Sequence, residues 1–536
     1  MAAFQDVRAG DSSVARQTRS SSDEKQSPPS RPSSTRSRPL SIVPRSQQRG
    51  LLGRFTVIPE LGCPYEYTKR TKWAITAVVA LAGGLGPLGS GIFYPALPQI
   101  SLEFDTEPVI ANLSVALYML AMGIFPLWWS SFSETLGRRN IYLVSFSLFI
   151  VFSVLSAVSH SIAMLVVMRL LSGGASASVQ AVGAGTIADI WESRERGRAM
   201  SIFYLGPLIG PLLGPIAGGA LSEALGWQST MWALTIYGGV ILLLLVFCLP
   251  ETLPRLKSPP APTVVATAND SSENNAGGLT RTKTAESVKE STKRAAVVFK
   301  QLIVDPLSIL LYLRFPPVAI TVYYAAITFG TLFALNISVQ AAYSTDPYGF
   351  SPSILGLMYI PSGTGYIIAS LLGGRWLDYI MAREARKAGR YDDGGNLVLL
   401  PEDRMRENAW LAATVYPASL IFYGWTIQNG VFWFVPVISQ FTFGGASMLV
   451  FAAATTMLTE FMPKRSSSGV AVNNFVRNMF SCTGAVAAQP VISSIGHGWL
   501  FTILGVFTWV TGYACIWALK KKAPVWRISM EKELNR

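Results

Sequence analysis

The chain has 536 residues, half of them hydrophobic and only 14% Asp, Glu, Lys or Arg, against about 25% charged residues in an ordinary soluble domain. The net charge of +13 would suggest a nucleic-acid partner on a soluble chain. Here the excess lies in three polar segments, with 13 basic and 6 acidic side chains in 1–72, 9 and 6 in 250–314, and 6 and 2 in 520–536. Cys63, Cys248, Cys482 and Cys515 are too dispersed for a disulfide framework or metal cluster, and His160 and His497 are too few for an imidazole site. With no Ser/His/Asp arrangement in view, the composition argues against an enzyme, a cofactor, a metal and a nucleic-acid partner.

In chain order, the first 50 residues are rich in Ser, Arg, Pro and Gln and nearly devoid of aromatics, a composition that buries too little apolar surface to order itself. The whole of 1–72 is expected to be a disordered basic cytoplasmic tail. Because the first apolar run starts only at Trp73, no secretory leader is expected. Twelve apolar runs follow, each long enough at about 1.5 Å per helical residue to cross roughly 30 Å of hydrocarbon. They cover 73–98, 109–132, 140–159, 163–189, 199–221 and 227–249, then 316–342, 353–377, 409–427, 431–458, 467–492 and 499–519. The central loop, 250–314, is expected to be polar up to about 294 and to form an interfacial helix near 297–313.

Loop charge sets the expected orientation. Arg138, Arg139, Arg194, Arg196, Arg198, Arg383, Arg386, Lys387, Arg390, Arg404, Arg406, Lys464, Arg465 and Lys520 to Lys522 fall on one side, whereas Glu103, Asp105, Glu107, Glu223 and Asp346 fall on the other. The predicted fold is an all-α integral membrane protein of two six-helix bundles, 73–249 and 315–519, with both termini cytoplasmic and 520–536 a basic cytoplasmic tail.

The fifth run carries Gly206, Gly210, Gly214 and Gly218, together with Pro211, Pro215 and Gly219. Glycine every fourth residue makes one helix face on which another backbone can lie, while the prolines remove amide donors and bend the helix. Tight packing alone would explain a lone pair of such glycines, but the full pattern GxxxGPxxGG is specific. It resembles the fifth-span motif of the major facilitator superfamily, and within it the twelve-spanning drug:proton antiporters. Phe132 to Arg139 is similar to the end of the superfamily's GxLaDrxGRR loop, including Gly137, with Ser130, Glu134 and Thr135 where the family has Gly, Asp and Arg. Arg169 to Gly174, Pro250-Glu251-Thr252 and a degenerate second loop copy at Gly374 to Asp378 agree with that resemblance. Pro401 to Arg404 and Asn473 to Asn478 resemble the fungal quinidine-resistance branch, which exports drugs and, in some members, polyamines.

Independently of resemblance, Arg169 and Arg477 are the cations placed well inside apolar runs, where charge is costly unless it faces protein, water or a partner. Arg169, Ser176 and Gln180 share a polar stripe on the fourth run, and Asn473, Asn474 and Arg477 cluster on the eleventh. Asn336, Gln340 and Tyr343 on the seventh are further candidates for the substrate pathway. The competing role for both arginines is bracing helices through backbone carbonyls, and for the asparagines interhelical hydrogen bonding.

By resemblance, Glu134, Gly137, Arg138, Arg139, Asp189, Arg198 and Asp378 belong to a cytoplasmic charge network that is broken and remade in each cycle. Asp189 is the proton-coupling candidate, since 73–98 holds no carboxylate. An arginine-rich, acid-poor path favours a neutral or anionic amphipathic cargo over a cation. The resemblance implies a monomeric plasma-membrane exporter of small organic molecules by proton antiport in the lipid bilayer. An uncoupled facilitator or importer, and a non-transporting sensor, are the alternatives.

Overall fold

The structure is a computed structural model that describes residues 43–253, 305–391, 397, 406–461 and 466–534. Among these residues it is almost wholly helical, the isolated bridge between Tyr391 and Leu397 being the extended pairing present. The first half contains α1 (Lys69–Gly91), α2 (Leu97–Glu103), α3 (Pro108–Leu136), α4 (Arg138–Ala157), α5 (Ile162–Ser176), α6 (Ser178–Ile190), α7 (Ser193–Leu225) and α8 (Gln228–Cys248). The second contains α9 (Pro316–Ser344), α10 (Pro352–Leu357), α11 (Ile360–Lys387), α12 (Glu407–Gln428), α13 (Phe434–Phe461) and α14 (Ser466–Leu534).

Local chemistry starts and stops these helices. Thr68 caps α1 by accepting from the Thr71 amide, and Ser161 caps α5 by accepting from Met164. Gly137 ends α3 at φ +96, a conformation that disfavours any side chain. Gly496, at φ +82, breaks α14 into two limbs. His497 of the second limb meets Ser338 while Gly512 lies against Tyr324, so this limb runs back along α9.

Every expected apolar run lies on helix. Three are interrupted: 73–98 by a 3-10 turn at Tyr94–Ala96, 163–189 at Ala177, and 353–377 between α10 and α11. Among the described residues, nine segments are long and apolar enough to cross a membrane, one of them, Ser468–Lys522, containing the Gly496 break. Within the halves, α1 packs on α7 and α9 on α14; between them, α7 meets α10 and α11, and α3 meets the first limb of α14.

Two expected boundaries shift. Residues 43–68, expected as disordered tail, form a folded strap with 3-10 turns at Arg45–Gln47, Gly53–Phe55 and Pro64–Glu66. Val43, Glu60, Leu61 and Tyr67 are buried in it, and the Val43 amide donates to the Glu60 carbonyl at 2.9 Å. Composition concealed this because the partners that hold the strap, the Glu60 carboxylate, Asn140 and backbone carbonyls, meet it only in the folded chain. At the other end, helix α14 continues through the expected tail as far as Leu534. The polar part of the central loop and the beginning of its expected interfacial helix lie outside the described residues, and Asp305–Arg314 form a 3-10 helix.

Candidate transport pathway

The glycine face of α7 is used in full. A Cβ added at Gly210 would fall 2.7 Å from the Leu88 nitrogen of α1, and one at Gly214 would fall 2.9 Å from that of Ile92. At Gly206 and Gly218 it would collide with the carbonyls of Ala80 and Ile92. Gly219 turns the other way, against the Pro352 carbonyl of α10, and the Pro215 carbonyl lies against Gly356. The motif therefore seats α7 on α1 and at the same time on the second half.

At the end bearing the acidic loops the halves are closed onto each other. Tyr94 stacks on Tyr359, whose hydroxyl donates to the Asn336 carbonyl at 2.8 Å. The Glu223 carboxylate accepts from the Ser353 amide at 2.8 Å.

The two intramembrane arginines differ. Arg169 is 1% exposed, lies 4.5 Å and 4.2 Å from the ring centroids of Phe93 and Tyr118, and donates from Nη2 to the Gly89 carbonyl at 2.8 Å. Through that carbonyl it braces the end of α1, while its Nε is buried without a hydrogen-bond partner among the described residues. Ser176 joins the same brace, its hydroxyl 3.1 Å from that of Tyr118, which in turn donates to the Gly86 carbonyl.

Arg477 lies 4.3 Å from the Phe329 ring centroid of α9 and 5.7 Å from that of Phe451 of α13. Tyr366 of α11 and Tyr204 of α7 lie within electrostatic range of its guanidinium, so residues of both halves converge on it. Its Nε is buried without a hydrogen-bond partner among the described residues. Asn473, one turn earlier on the same face, is 3% exposed with its Oδ1 also unpartnered, and Asn478 closes against Gly123 of α3.

The remaining expected residues divide. Gln180 is half-buried and Gln340 is 8% exposed. Asn474 gives its carbonyl to Asn478, as Asn336 does to Tyr359. Tyr343 is buried in an aromatic cluster with Tyr348, Phe350 and Trp433, so it belongs to the acidic-loop end of the second half rather than to the centre.

At the basic-loop end, Arg138 Nε pairs with Asp189 at 3.0 Å and its Nη1 donates to Ser133 at 2.5 Å. The acid that completes this cluster is Glu251, not Glu134, which is exposed. Glu251 accepts from the amides of Arg138, Arg139 and Leu253, and so caps the positive end of the α4 dipole. A Cβ on Gly137 would collide with that carboxylate, a second reason for glycine there. Arg139 is fully buried and donates to the carbonyls of Leu245, Val246 and Leu249 at the end of α8 and of Leu51 and Leu52 in the strap. Arg198 stands apart, its guanidinium 5.6 Å from the Trp73 ring centroid. In the second half the side chain of Asp378 lies outside the described residues. Glu384 instead gathers Arg383, Lys387 and Arg406, and Arg383 also pairs with Glu407. The signal for this centre was the run of bases in the last turns of α11 with one acid inside it.

The family model described as Major Facilitator Superfamily matches residues 79–485. The chain is 47% identical over 361 residues to "MFS transporter OpS2" of Beauveria bassiana, covering 67% of this chain and 99% of that protein. It is 34% identical over 584 residues to "MFS antiporter QDR3" of Candida albicans, covering 90% and 82%. Among solved structures the fold matches a D-xylose-proton symporter with a TM-score of 0.58 at 14% identity, over 83% of this chain and 97% of that one. With this match over most of its length and its array of apolar helices, the chain belongs to the major facilitator superfamily and is a multi-pass membrane transporter, not an enzyme.

Proposed function

We propose that the chain is a plasma-membrane exporter of small organic molecules, working by alternating access with proton antiport. Twelve spans in two six-helix bundles, both termini cytoplasmic, rock about a central site. The observation that carries this reading is the closure of the acidic-loop end by contacts that can part without breaking either half: the Tyr94–Tyr359 stack and the Glu223–Ser353 hydrogen bond. The first half is held by the glycine packing of α7 on α1 and by Arg139, and the second by Gly444 against the Ser362 carbonyl and Gly484 against that of Gly330. A seam that separates while its walls hold is what rocking requires.

Asp189 is assigned the proton. It is 16% exposed and neutralised by Arg138 in this conformation, so parting of the basic-loop cluster frees it to protonate. The absence of any acid in 73–98 favours, as a second reading, a facilitator without proton coupling. Protein reconstituted in liposomes tests both. Substrate accumulation that follows an imposed pH gradient supports antiport; flux indifferent to the gradient supports the facilitator; no flux across a broad substrate panel rejects transport.

A further inference from the structure

We infer that the space around Arg477 is a subsite for an anionic group, so that the cargo is an amphipathic organic acid with an apolar, preferably aromatic, body. This inference deepens the exporter reading and rests on it.

Three buried polar atoms in this region, Arg477 Nε, the Tyr366 hydroxyl and Asn473 Oδ1, lack a partner in full hydrogen-bonding geometry among the described residues, Ser447 lying close to the second. Buried polar groups are ordinarily satisfied, because each one left bare costs about 1–3 kcal/mol. Several such atoms together in one place mark a site built for something absent from the polypeptide. Two of the three are donors. The third belongs to an amide that presents its Nδ2 donor to the same place after a half-turn about χ2.

The sign of the missing group follows from the charge. The groups that act electrostatically on the Arg477 guanidinium are the hydroxyls of Tyr366 and Tyr204, with no carboxylate among the described residues. A cation in a membrane-crossing helix without a counter-ion faces protein, water or a ligand, and an anionic ligand is the one of these that balances its charge. A guanidinium and a phenol are the donor set that suits a carboxylate, the guanidinium in a two-pronged geometry that an ammonium lacks.

The walls define the rest of the ligand. Phe329 and Phe451 flank the guanidinium and meet each other edge-on at 5.6 Å between centroids, while Tyr366 stacks on Phe451 at 6.4 Å and 2°. A planar apolar body can extend along these faces while its carboxylate meets Arg477. The site draws on α7, α9, α11, α13 and α14, so it lies at the seam between the halves, where alternating access requires the cargo. Arg169 differs in that one of its Nη groups is already held by the Gly89 carbonyl of its own half, although its Nε too is unpartnered among the described residues.

The test uses the purified full chain in nanodiscs, with 2-naphthoate as probe and 2-naphthamide and 2-naphthylmethylamine as neutral and cationic analogues, binding being read by calorimetry. The expected result is about tenfold tighter binding of the acid than of the amide, the size of a charge-assisted contact, and weaker binding still of the amine. Arg477→Gln should abolish the preference for acid over amide, and Arg477→Lys should keep part of it. Tyr366→Phe, which removes one hydroxyl and preserves the ring, should weaken acid binding severalfold without lowering the melting temperature. Equal binding of acid and amide, tighter binding of the amine, or an acid preference that survives Arg477→Gln would overturn the proposal. Flux in liposomes separates the two readings. Acid that binds through Arg477 but is never transported leaves the subsite standing and removes the exporter; transport of compounds without regard to charge leaves the exporter and removes the subsite.

Discussion

Tyr94 and Tyr359 stack nearly parallel, ring centroids 5.6 Å apart and 15° between planes, with one ring from each half of the transporter. Tyr94 sits in the 3-10 break after α1 and Tyr359 in the gap between α10 and α11, so both project from interruptions in their helices. The contact joins the halves at the end where Glu223 also meets Ser353. Removing it with Tyr359→Ala should open this end. An impermeant maleimide should then label Ser90→Cys faster than in the parent, and maximal flux should fall severalfold; unchanged labelling would deny the stack a gating role.

The glycine contact between α7 and α1 predicts a stability effect. Gly206→Ala drives a methyl group into the Ala80 carbonyl of α1, and an overpacked backbone contact costs about 1–3 kcal/mol. Gly239→Ala is the control, since a Cβ there meets nothing within 4 Å. Thermal melts of both purified variants should show a loss for the first and none for the second.

The strap is structural. Arg49 pairs with Glu60 at 2.8 Å and donates to the Leu253 carbonyl, the Val57 amide donates to Phe247, and Arg139 holds Leu51 and Leu52. Composition reads 1–72 as a disordered tail, and the structure shows 43–68 folded. Deleting 1–42 should leave transport and melting temperature intact, whereas Glu60→Ala, which leaves the Arg49 amide and Nε without their acceptor, should lower stability by about 1–3 kcal/mol. Melting temperature and surface abundance are the measurements.

Arg138 and Asp189 carry the coupling prediction. Asp189→Asn removes the protonatable group and keeps its shape. Accumulation driven by a pH gradient should fall about 100-fold, the scale of losing a positioned proton carrier, while counterflow exchange, which needs no net proton movement, persists. Loss of both in equal measure would make Asp189 a structural residue.

Closure at the acidic-loop end should depend on pH through Glu223. Hydrogen bonds from the Ser353 hydroxyl and amide and from the Ser351 hydroxyl hold its carboxyl below the ordinary glutamate value. A depressed value means that the closed state gains stability above the pKa of the unbonded group and loses it as pH falls through the lowered one. Labelling of Ser90→Cys should therefore rise on acidification below the glutamate range. In Glu223→Gln that rise should be absent.

The helices were legible because their cause is local. Apolar runs of sufficient length must satisfy their amides internally in a membrane, and every such run is helical here. The α7 face was legible for the same reason, since a glycine at every fourth position states its purpose without naming the partner. Partners were not legible. Arg169 and Arg477 look alike in sequence, and only the fold shows that the first donates to the Gly89 carbonyl between two rings while the second packs against Phe329 beside Tyr366, each with its Nε unpartnered among the described residues. Glu134 carries the position of the family's loop acid, but the carboxylate that caps α4 arrives from Glu251, more than a hundred residues away. By itself the sequence determined the class, the apolar segments and the close-packing helix, because periodicity and hydropathy act within one turn or one span. Tertiary structure decided which charges are satisfied, because a counter-ion, a carbonyl or a ring reaches an arginine only after distant helices have packed.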